Sequence, residues 1–470
     1  MIRKTKIIAT IGPATSSKKK IKSLIEKGVT VCRLNFSHLS HEEAQKLVSK
    51  IKEINQETGS HTAILADLQG PKIRVGDFEK PIKIKKGSEI VFSTKNKKNT
   101  IQINYKNFAK DVKQKDIVLL DDGKLKLEVL STNNRDTVVL KVIFGGVLYS
   151  RKGVNLPNTT ISLPCLTKKD IKDLEFILSQ KIEWIGLSFV RKAKDVKDLK
   201  KIITKTKSPH KVIAKIEKPE AIKNIQKIIE ASDAVMVARG DLGVEVPLQK
   251  VPVYQKMIVN KCITNSKPVI IATQMLESMT DSPTATRAEV NDVANSVIDG
   301  ADALMLSGET STGKHPIKAV VAMRKIIRDI EGSEHSISKN TANTEPHHDS
   351  RTLTNAICLN ATNIARQTKS KAIITITYSG FNTIKVSSFR PQAFIYTFTN
   401  NHNILNTLSL VWGVQGFYYE GASTTSQTIR ETKEILKQQK LLRKGDLVVN
   451  IASMPAREKG KTNMMKISKI

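Results

Sequence analysis

Two short apolar runs, residues 212–214 and 234–238, each break off abruptly into charge, and that pattern constrains the chain more than any other feature in it. Lys215 and Glu217 close the first run, Arg239 and Asp241 the second. Both runs have the length of buried strands, so a parallel sheet would gather two carboxylates and two cations at one edge. Such an edge suits a metal ion and an anion. Between the runs, Pro219 stands where a helix begins, since its fixed φ and missing N–H cost nothing in a first turn, and an amphipathic pattern continues to Ile229. The unit reads strand, helix, strand, with chemistry at the strand ends.

The same alternation recurs along the chain. Apolar runs at 6–11, 29–34, 62–66, 184–187, 212–216, 234–237, 269–272 and 303–305 predict eight strands, with helices at 17–27, 41–57 and 168–178 among those between them. Eight strand–helix units predict an α/β fold of the TIM (β/α)8 barrel type, with its active site at the C-terminal strand ends; a doubly wound open sheet is the alternative. From Gly70 to about Thr160 the texture changes to short alternating strands with glycine turns, which predicts a β-barrel or β-sandwich lid inserted after the third strand. The stretch 332–350 is polar and linker-like, and strands near 372–377, 393–397 and 447–451 predict a smaller α/β unit beyond it. The predicted division is a barrel over 1–69 and 161–335, a lid over 70–160, a linker over 336–350, and a C-terminal α/β domain for regulation or oligomerisation over 351–470.

Charge is the loudest global property: 77 Lys and Arg against 44 Asp and Glu give +33, which on its face suggests nucleic acid. Two features argue against a specific nucleic-acid partner. The lysines are spread along the whole length, and only 4% of residues are aromatic, which leaves few platforms for stacking bases. The apolar run before Gly12 and Pro13 is too short for a signal peptide and no later run could span a membrane, so the expected location is the cytoplasm. Cys32, Cys165, Cys262 and Cys358 lie far apart with no CxxC spacing, which predicts buried thiols rather than a zinc site or disulfides.

The polar residues at the predicted strand ends form a list: Arg33, Asn35 and Ser37; Asp67; Lys215 and Glu217; Arg239 to Asp241; Thr273; Ser307 and Glu309. Each alone has an ordinary reading, as a helix cap or a solvated charge. Together at one rim of a barrel they read as a catalytic constellation. RLNFSH at 33–38, DLQGPKIR at 67–74, KGVNLP at 152–157, SFVRKA at 188–193, AKIEKPEA at 214–221, VARGDLG at 237–243, ATQMLESM at 272–279 and MLSGET at 305–310 closely resemble the pyruvate kinase family, in family order. The resemblance covers essentially the full chain.

That resemblance implies phosphoryl transfer from phosphoenolpyruvate to ADP, giving pyruvate and ATP, in a cytoplasmic homotetramer. It implies Mg2+ held by Glu217 and Asp241, whose hard oxygens suit that ion. Lys215 is implied as the catalytic lysine, with Arg33 beside the transferring phosphoryl and the Thr273 hydroxyl beside the enolate carbon. The backbone near Ala238 and Gly240, with Asp241, is implied to hold the substrate carboxylate. For ADP it implies Arg74 and Lys152 of the lid, with Asn35 and His38 nearby. Asn35, Ser37, Asp67 and Leu68 match the family's K+ site, yet many members carry GPEIR where this chain has GPKIR, so the Lys72 ammonium is expected to replace K+. In the C-terminal unit the family's Thr-x-Ser-Gly-x-Ser effector cradle is matched by Thr377 to Asn382, with Asn382 in place of the last serine, which leaves regulation open. The rival readings are a Mg2+-dependent aldolase or lyase, which needs no nucleotide lid, and a basic RNA-binding protein on a retired barrel.

Overall fold

The computed structural model describes residues 3–333, 351–422, 424–454 and 462–470, so the predicted linker 336–350 lies outside the described residues. Eight parallel strands close into a barrel in the spatial order Lys6–Thr10, Ala303–Leu306, Val269–Ala272, Ala234–Ala238, Lys211–Ile216, Trp184–Leu187, Ala63–Asp67 and Val31–Asn35. Closure rules out the open-sheet alternative. Several helices begin where a side chain accepts one of their orphan N–H groups. Ser17 accepts from Lys20, and Ser40 with Glu43, Thr167 with Asp170 and Thr286 with Glu289 each form a reciprocal capping box.

Two of the differences from the sequence reading have a clear local cause. The second strand starts at Val31 rather than residue 29, because Gly28 closes the preceding helix at φ 116 and Val29 and Thr30 complete the turn. The helix expected from Pro219 to Ile229 is two, Pro219–Lys223 and Ile225–Ala231, interrupted at Asn224. The Asn224 amide donates to the carbonyls of Arg191 and Glu220 at 3.0 Å each, a side-chain competition for backbone acceptors that favours a break.

Between the third and fourth barrel strands stands a separate β unit with its own buried core. It has a six-stranded sheet, in the order Val154–Asn155, Ile117–Leu120, Leu125–Thr132, Thr137–Phe144, Glu89–Ser93 and Ile101–Gln102, and a small ribbon of Ile82–Ile84 with Gly146–Leu148. The C-terminal unit carries a five-stranded sheet, in the order Val414–Tyr418, Phe394–Thr399, Ala372–Ile376, Leu447–Ala452 and Met464–Lys469, the last strand antiparallel. The four cysteines are buried and unpaired, and burial pushes the thiols of Cys32 and Cys358 up to about 12. Among the described residues no helix is long and apolar enough to cross a membrane. Most lysines of the clusters at 18–20, 95–98 and 197–201 are exposed.

The C-terminal unit plugs the base of the barrel. Leu410 is fully buried and joins the interior cluster of Ile8, Val31, Leu65, Trp184, Ile213 and Met236. Beside it Asp302, at the foot of the last barrel strand, accepts from Val269 N at 3.0 Å, Trp412 N at 3.1 Å and Arg390 Nη2 at 2.8 Å. Both partners of this ion pair are buried, so removing one leaves a desolvated charge alone. Asp302→Ala is therefore expected to lower stability by about 3–5 kcal/mol, read as a shift of the urea midpoint at unchanged m-value. A shift under about 1 kcal/mol would mean that this contact does not hold the two units together.

Candidate active site

Alternation along the strands sends every second side chain into the barrel. Toward the C-terminal end, Ile8 gives way to Thr10, Val31 to Arg33, Leu65 to Asp67 and Ile213 to Lys215, so the interior turns from apolar to ionised within one layer. Asp67 Oδ2 accepts from Arg33 Nε at 2.8 Å and lies 2.6 Å from Nη2 in the ion pair, and Arg33 Nη1 donates to Thr10 Oγ1 at 3.0 Å. Lys215 Nζ lies 2.9 Å from Glu217 Oε1, 2.7 Å from Ser188 Oγ and 3.2 Å from Asp67 Oδ1, the last off the line of a hydrogen bond. Glu217 Oε2 accepts from Phe189 N at 2.9 Å. Space for the cluster comes from Gly186, where a Cβ would stand 3.0 Å from Asp67 Oδ1.

Burial penalises every charge here, and the outcome depends on which neighbour outweighs it. For Asp67, burial raises the pKa but Lys215 and Arg33 hold it below the usual carboxylate range. For Lys215, burial lowers it, yet Asp67 and Glu217 prevail and the ammonium is held firmly protonated. For Glu217, burial and the charge of Asp241 together raise the pKa against the pull of Lys215. The site is thus short of positive charge where Glu217 faces Asp241, which is where two hard oxygen donors would hold a divalent cation.

Asp241 lies in the first turn of the short helix Arg239–Glu245, which follows the strand Ala234–Ala238. Gly240 N donates to Thr273 Oγ1 at 2.7 Å, and Thr273 and Gln274 take φ of 69 and 54, values a β-branched residue adopts only under constraint. Arg239 supplies the constraint. Its guanidinium binds Asp292 at 2.6 and 2.7 Å and donates to the carbonyls of Thr273 at 2.8 Å and Gln274 at 3.1 Å. This corrects the expectation of two cations at the carboxylate pair: Arg239 is committed to Asp292 and the strained turn, and among the described residues only Lys215 forms an ion pair with Glu217. Glu309 likewise serves the loops, accepting from Ser307 N at 2.7 Å and Leu276 N at 3.3 Å.

The remaining residues fall into two groups. Asn35 Oδ1 accepts from Ser37 N at 3.2 Å and the Leu68 carbonyl accepts from Ser188 Oγ at 2.7 Å. His38 is exposed, and partial burial with the charges of Lys72, Arg74 and Arg33 lowers its pKa. Lys72 is exposed at the foot of the lid. Arg74 Nη1 donates to the Arg151 carbonyl at 2.8 Å, and Lys152 Nζ pairs with Asp121 at 2.8 Å, so both cations are held within the lid. In the C-terminal unit the Asn382 amide donates to Ile376 O at 3.0 Å and Thr462 Oγ1 at 2.9 Å, which ties it into the fold.

Several contributors are absent from the list of strand-end residues drawn from the sequence. Ser188 follows the fourth strand and anchors Lys215, a position the same rule would have found. Asp292 lies on the helix Arg287–Ile298 and has no local signal. The lid is docked by a triad in which Glu245 and Lys218 are buried and Asn155 half-buried: Glu245 Oε1 accepts from Lys218 Nζ at 2.6 Å and from Asn155 Nδ2 of the lid at 2.8 Å, while Gly123 lies against Val244. These partners come from three segments far apart in sequence.

Family models bear on this arrangement. The pyruvate kinase barrel domain matches residues 2–320 and the pyruvate kinase alpha/beta domain residues 355–468. A pyruvate kinase of Geobacillus stearothermophilus is 41% identical, aligned over 99% of this chain and 80% of its own. One from Corynebacterium glutamicum is 41% identical over 99% of this chain and 98% of its own. The crystal structure of a pyruvate kinase from Cryptosporidium parvum superposes with a TM-score of 0.90 at 34% identity, covering 99% of this chain and 96% of that one.

The triad sets a test of lid docking. Glu245→Ala strands the buried Lys218 ammonium and is expected to cost about 3–5 kcal/mol. Asn155→Ala removes one hydrogen bond across the junction and is expected to cost about 1–2 kcal/mol, with faster amide exchange in the strand Val154–Asn155. Unchanged exchange there in Asn155→Ala would show that the lid is held by other contacts.

Proposed function

The chain belongs to the pyruvate kinase family, and from that premise we propose how its own residues divide the transfer of a phosphoryl group from phosphoenolpyruvate to ADP. The protein is a phosphotransferase of that family, producing pyruvate and ATP. One observation carries the assignment of roles: Arg33, Asp67, Lys215 and Glu217 form one unbroken ionic cluster at the C-terminal mouth of the barrel.

Pyruvate kinases need Mg2+ in general, and the donor set here fits it, since Glu217 and Asp241 are hard oxygen ligands whose charges oppose each other. When bound, that ion supplies a Lewis acid for phosphoryl and enolate oxygens. The chain's own groups do the rest. Lys215 and Arg33 present fixed cations to the phosphoryl group, oriented in advance by Asp67, so little reorganisation accompanies the transfer. Thr273, held in its strained turn by Arg239, sets its hydroxyl beside the carbon that takes a proton, directly or through ordered water. Binding the substrate carboxylate at Ala238 and Gly240 requires Gly240 N to exchange its bond to Thr273 Oγ1, which reorients that hydroxyl. Arg74 and Lys152, with Asn35 and His38, receive the ADP phosphates as the lid excludes water. The working unit in this reading is a cytoplasmic homotetramer.

K+ is not required in this reading. Asp67, Leu68 and Asn35, three of the four candidate ligands, each have internal donors, and Lys72 brings a positive charge that His38 already feels. Pyruvate formation from phosphoenolpyruvate, ADP and Mg2+ is expected in K+-free buffer at a rate comparable to that with K+. Lys72→Glu is expected to make the rate depend on K+, and an unchanged response would remove Lys72 from this role. Lys215→Met is expected to lower kcat by about 10³-fold or more, because a preorganised charge at the reacting group is lost. A loss below about tenfold would overturn the role given to Lys215.

A further inference from the structure

The helix Lys168–Ser179 follows the return of the chain from the lid, and its first turn reaches both segments that carry the ADP contacts named above. Adjacent residues on a helix point about 100° apart, so Lys169 and Asp170 address different partners. Asp170 is fully buried, and its Oδ1 accepts from Gly70 N at 3.1 Å, at the start of the lid segment that leads to Lys72 and Arg74. Lys169 Nζ donates to the Phe36 carbonyl at 2.6 Å, in the loop that carries Asn35, Ser37 and His38.

Lys169 is more than one half of a surface ion pair. It pairs with Asp173 at 2.6 Å with the lysine on the N-terminal side, the weaker order for an i, i+4 pair on a helix. Asp173 is nevertheless buried, and its Oδ1 lies 2.8 Å from His41 Nε2. The His41 ring lies flat on Phe176, with centroids 4.6 Å apart. A carboxylate that is itself fixed thus fixes the ammonium, whose other bond goes to a backbone oxygen. That bond has a specific consequence for the loop. The Phe36 ring is buried and its N–H donates to the Asp67 carbonyl at 3.0 Å, which anchors the residue on its N-terminal side. Beyond it, Ser37 N donates to Asn35 Oδ1 and His38 N to the Asn35 carbonyl, each at 3.2 Å, both long bonds within the loop itself. The plane of the peptide joining Phe36 to Ser37 therefore depends on Lys169. Partial burial, then the charges of Lys72, Arg74, Arg33 and Lys169, lower the pKa of His38, so the ammonium is within electrostatic reach of the ADP contacts.

We propose that Lys169 is a positioning residue for the nucleotide: by holding the Phe36 carbonyl it sets the direction in which Ser37 and His38 face the ADP phosphates. Asp170, in the same turn, keeps that loop in register with the lid segment bearing Arg74. The inference rests on the placing of ADP at Asn35, His38, Arg74 and Lys152. The bonds among Arg33, Asp67, Lys215 and Glu217 do not pass through Lys169, so its loss acts on ADP and spares phosphoenolpyruvate.

Steady-state kinetics of the full-length protein test this, with ADP varied at saturating phosphoenolpyruvate and Mg2+ and then with the two substrates exchanged. Lys169 is exposed, so a methionine is accommodated there. Lys169→Met is expected to raise the KM for ADP about tenfold, with the KM for phosphoenolpyruvate changed less than about twofold and kcat less than about threefold. Lys169→Arg, which can donate to the same carbonyl, is expected to restore most of the loss. Amide exchange at Ser37 and His38 is expected to quicken in Lys169→Met and to slow again in Lys169→Arg. If Lys169→Met misfolds, Asp173→Asn gives the same readout by releasing the ammonium, with a smaller rise in the same direction. Arg74→Ala separates this role from the ADP site on which it rests. A raised KM for ADP in Arg74→Ala, with none in Lys169→Met or Asp173→Asn, overturns the role of Lys169 and leaves the site standing. An unchanged KM for ADP in Arg74→Ala removes the nucleotide from this face, and the role of Lys169 with it. An equal rise in both KM values in Lys169→Met also overturns the proposal, by making the residue a general support of the fold.

Discussion

Four ionised side chains, Arg33, Asp67, Lys215 and Glu217, are held away from water at the mouth of the barrel, and much of the structure follows from keeping them charged. Isolated, each would neutralise or leave the interior. In the cluster, Asp67 stands between two cations and Lys215 between two carboxylates, so each supplies the counter-charge that burial demands of the other. The compensation is incomplete at Glu217, which faces a second carboxylate in Asp241. In the reading proposed above, that remaining imbalance is what a divalent cation between the two carboxylates would relieve.

The scaffold around the cluster is arranged to hold it still. Gly186 leaves room for Asp67, Ser188 fixes Lys215 and passes a hydrogen bond to the Leu68 carbonyl, and Arg239 pins the turn that carries Thr273. Arg239 holds the Thr273–Gln274 turn by its carbonyls while its guanidinium is fixed by the bidentate pair with Asp292. The lid reaches the same region through Asn155 and Glu245, and Glu245 lies on the short helix that carries Asp241. Lid position and carboxylate position are thereby linked through one element.

The two ends of the barrel treat charge differently. At the C-terminal mouth, cations and carboxylates alternate and satisfy one another. At the base, Asp302 is balanced by Arg390, but Arg3, Lys6, Arg324 and Arg328 face a hollow that no carboxylate lines among the described residues. The excess of 77 basic over 44 acidic residues does not by itself explain this, since most of the lysine clusters lie exposed to solvent, where charge is screened at little cost. Burial distinguishes the few that matter.

The sequence by itself determined the barrel and the placing of most ionised residues at its rim, because strands buried on both faces must be written as apolar runs and polar residues at their ends can only be a rim. Arg33, Asp67, Lys215, Glu217 and Asp241 were legible on those grounds, and the glycine-punctuated alternation marked the lid. The break at Asn224 was not, since an asparagine amide choosing carbonyls over a continuous helix leaves no periodic trace. Nor was the use of Arg239, whose partner Asp292 lies on the helix after the next barrel strand. The Asn155–Glu245–Lys218 junction, the Leu410 plug and the cationic hollow at the base join segments separated by tens to hundreds of residues. Tertiary structure alone decided these, because which charges meet, and which are left without a partner in the interior, depends on distances that only the closed barrel and its two attached units impose.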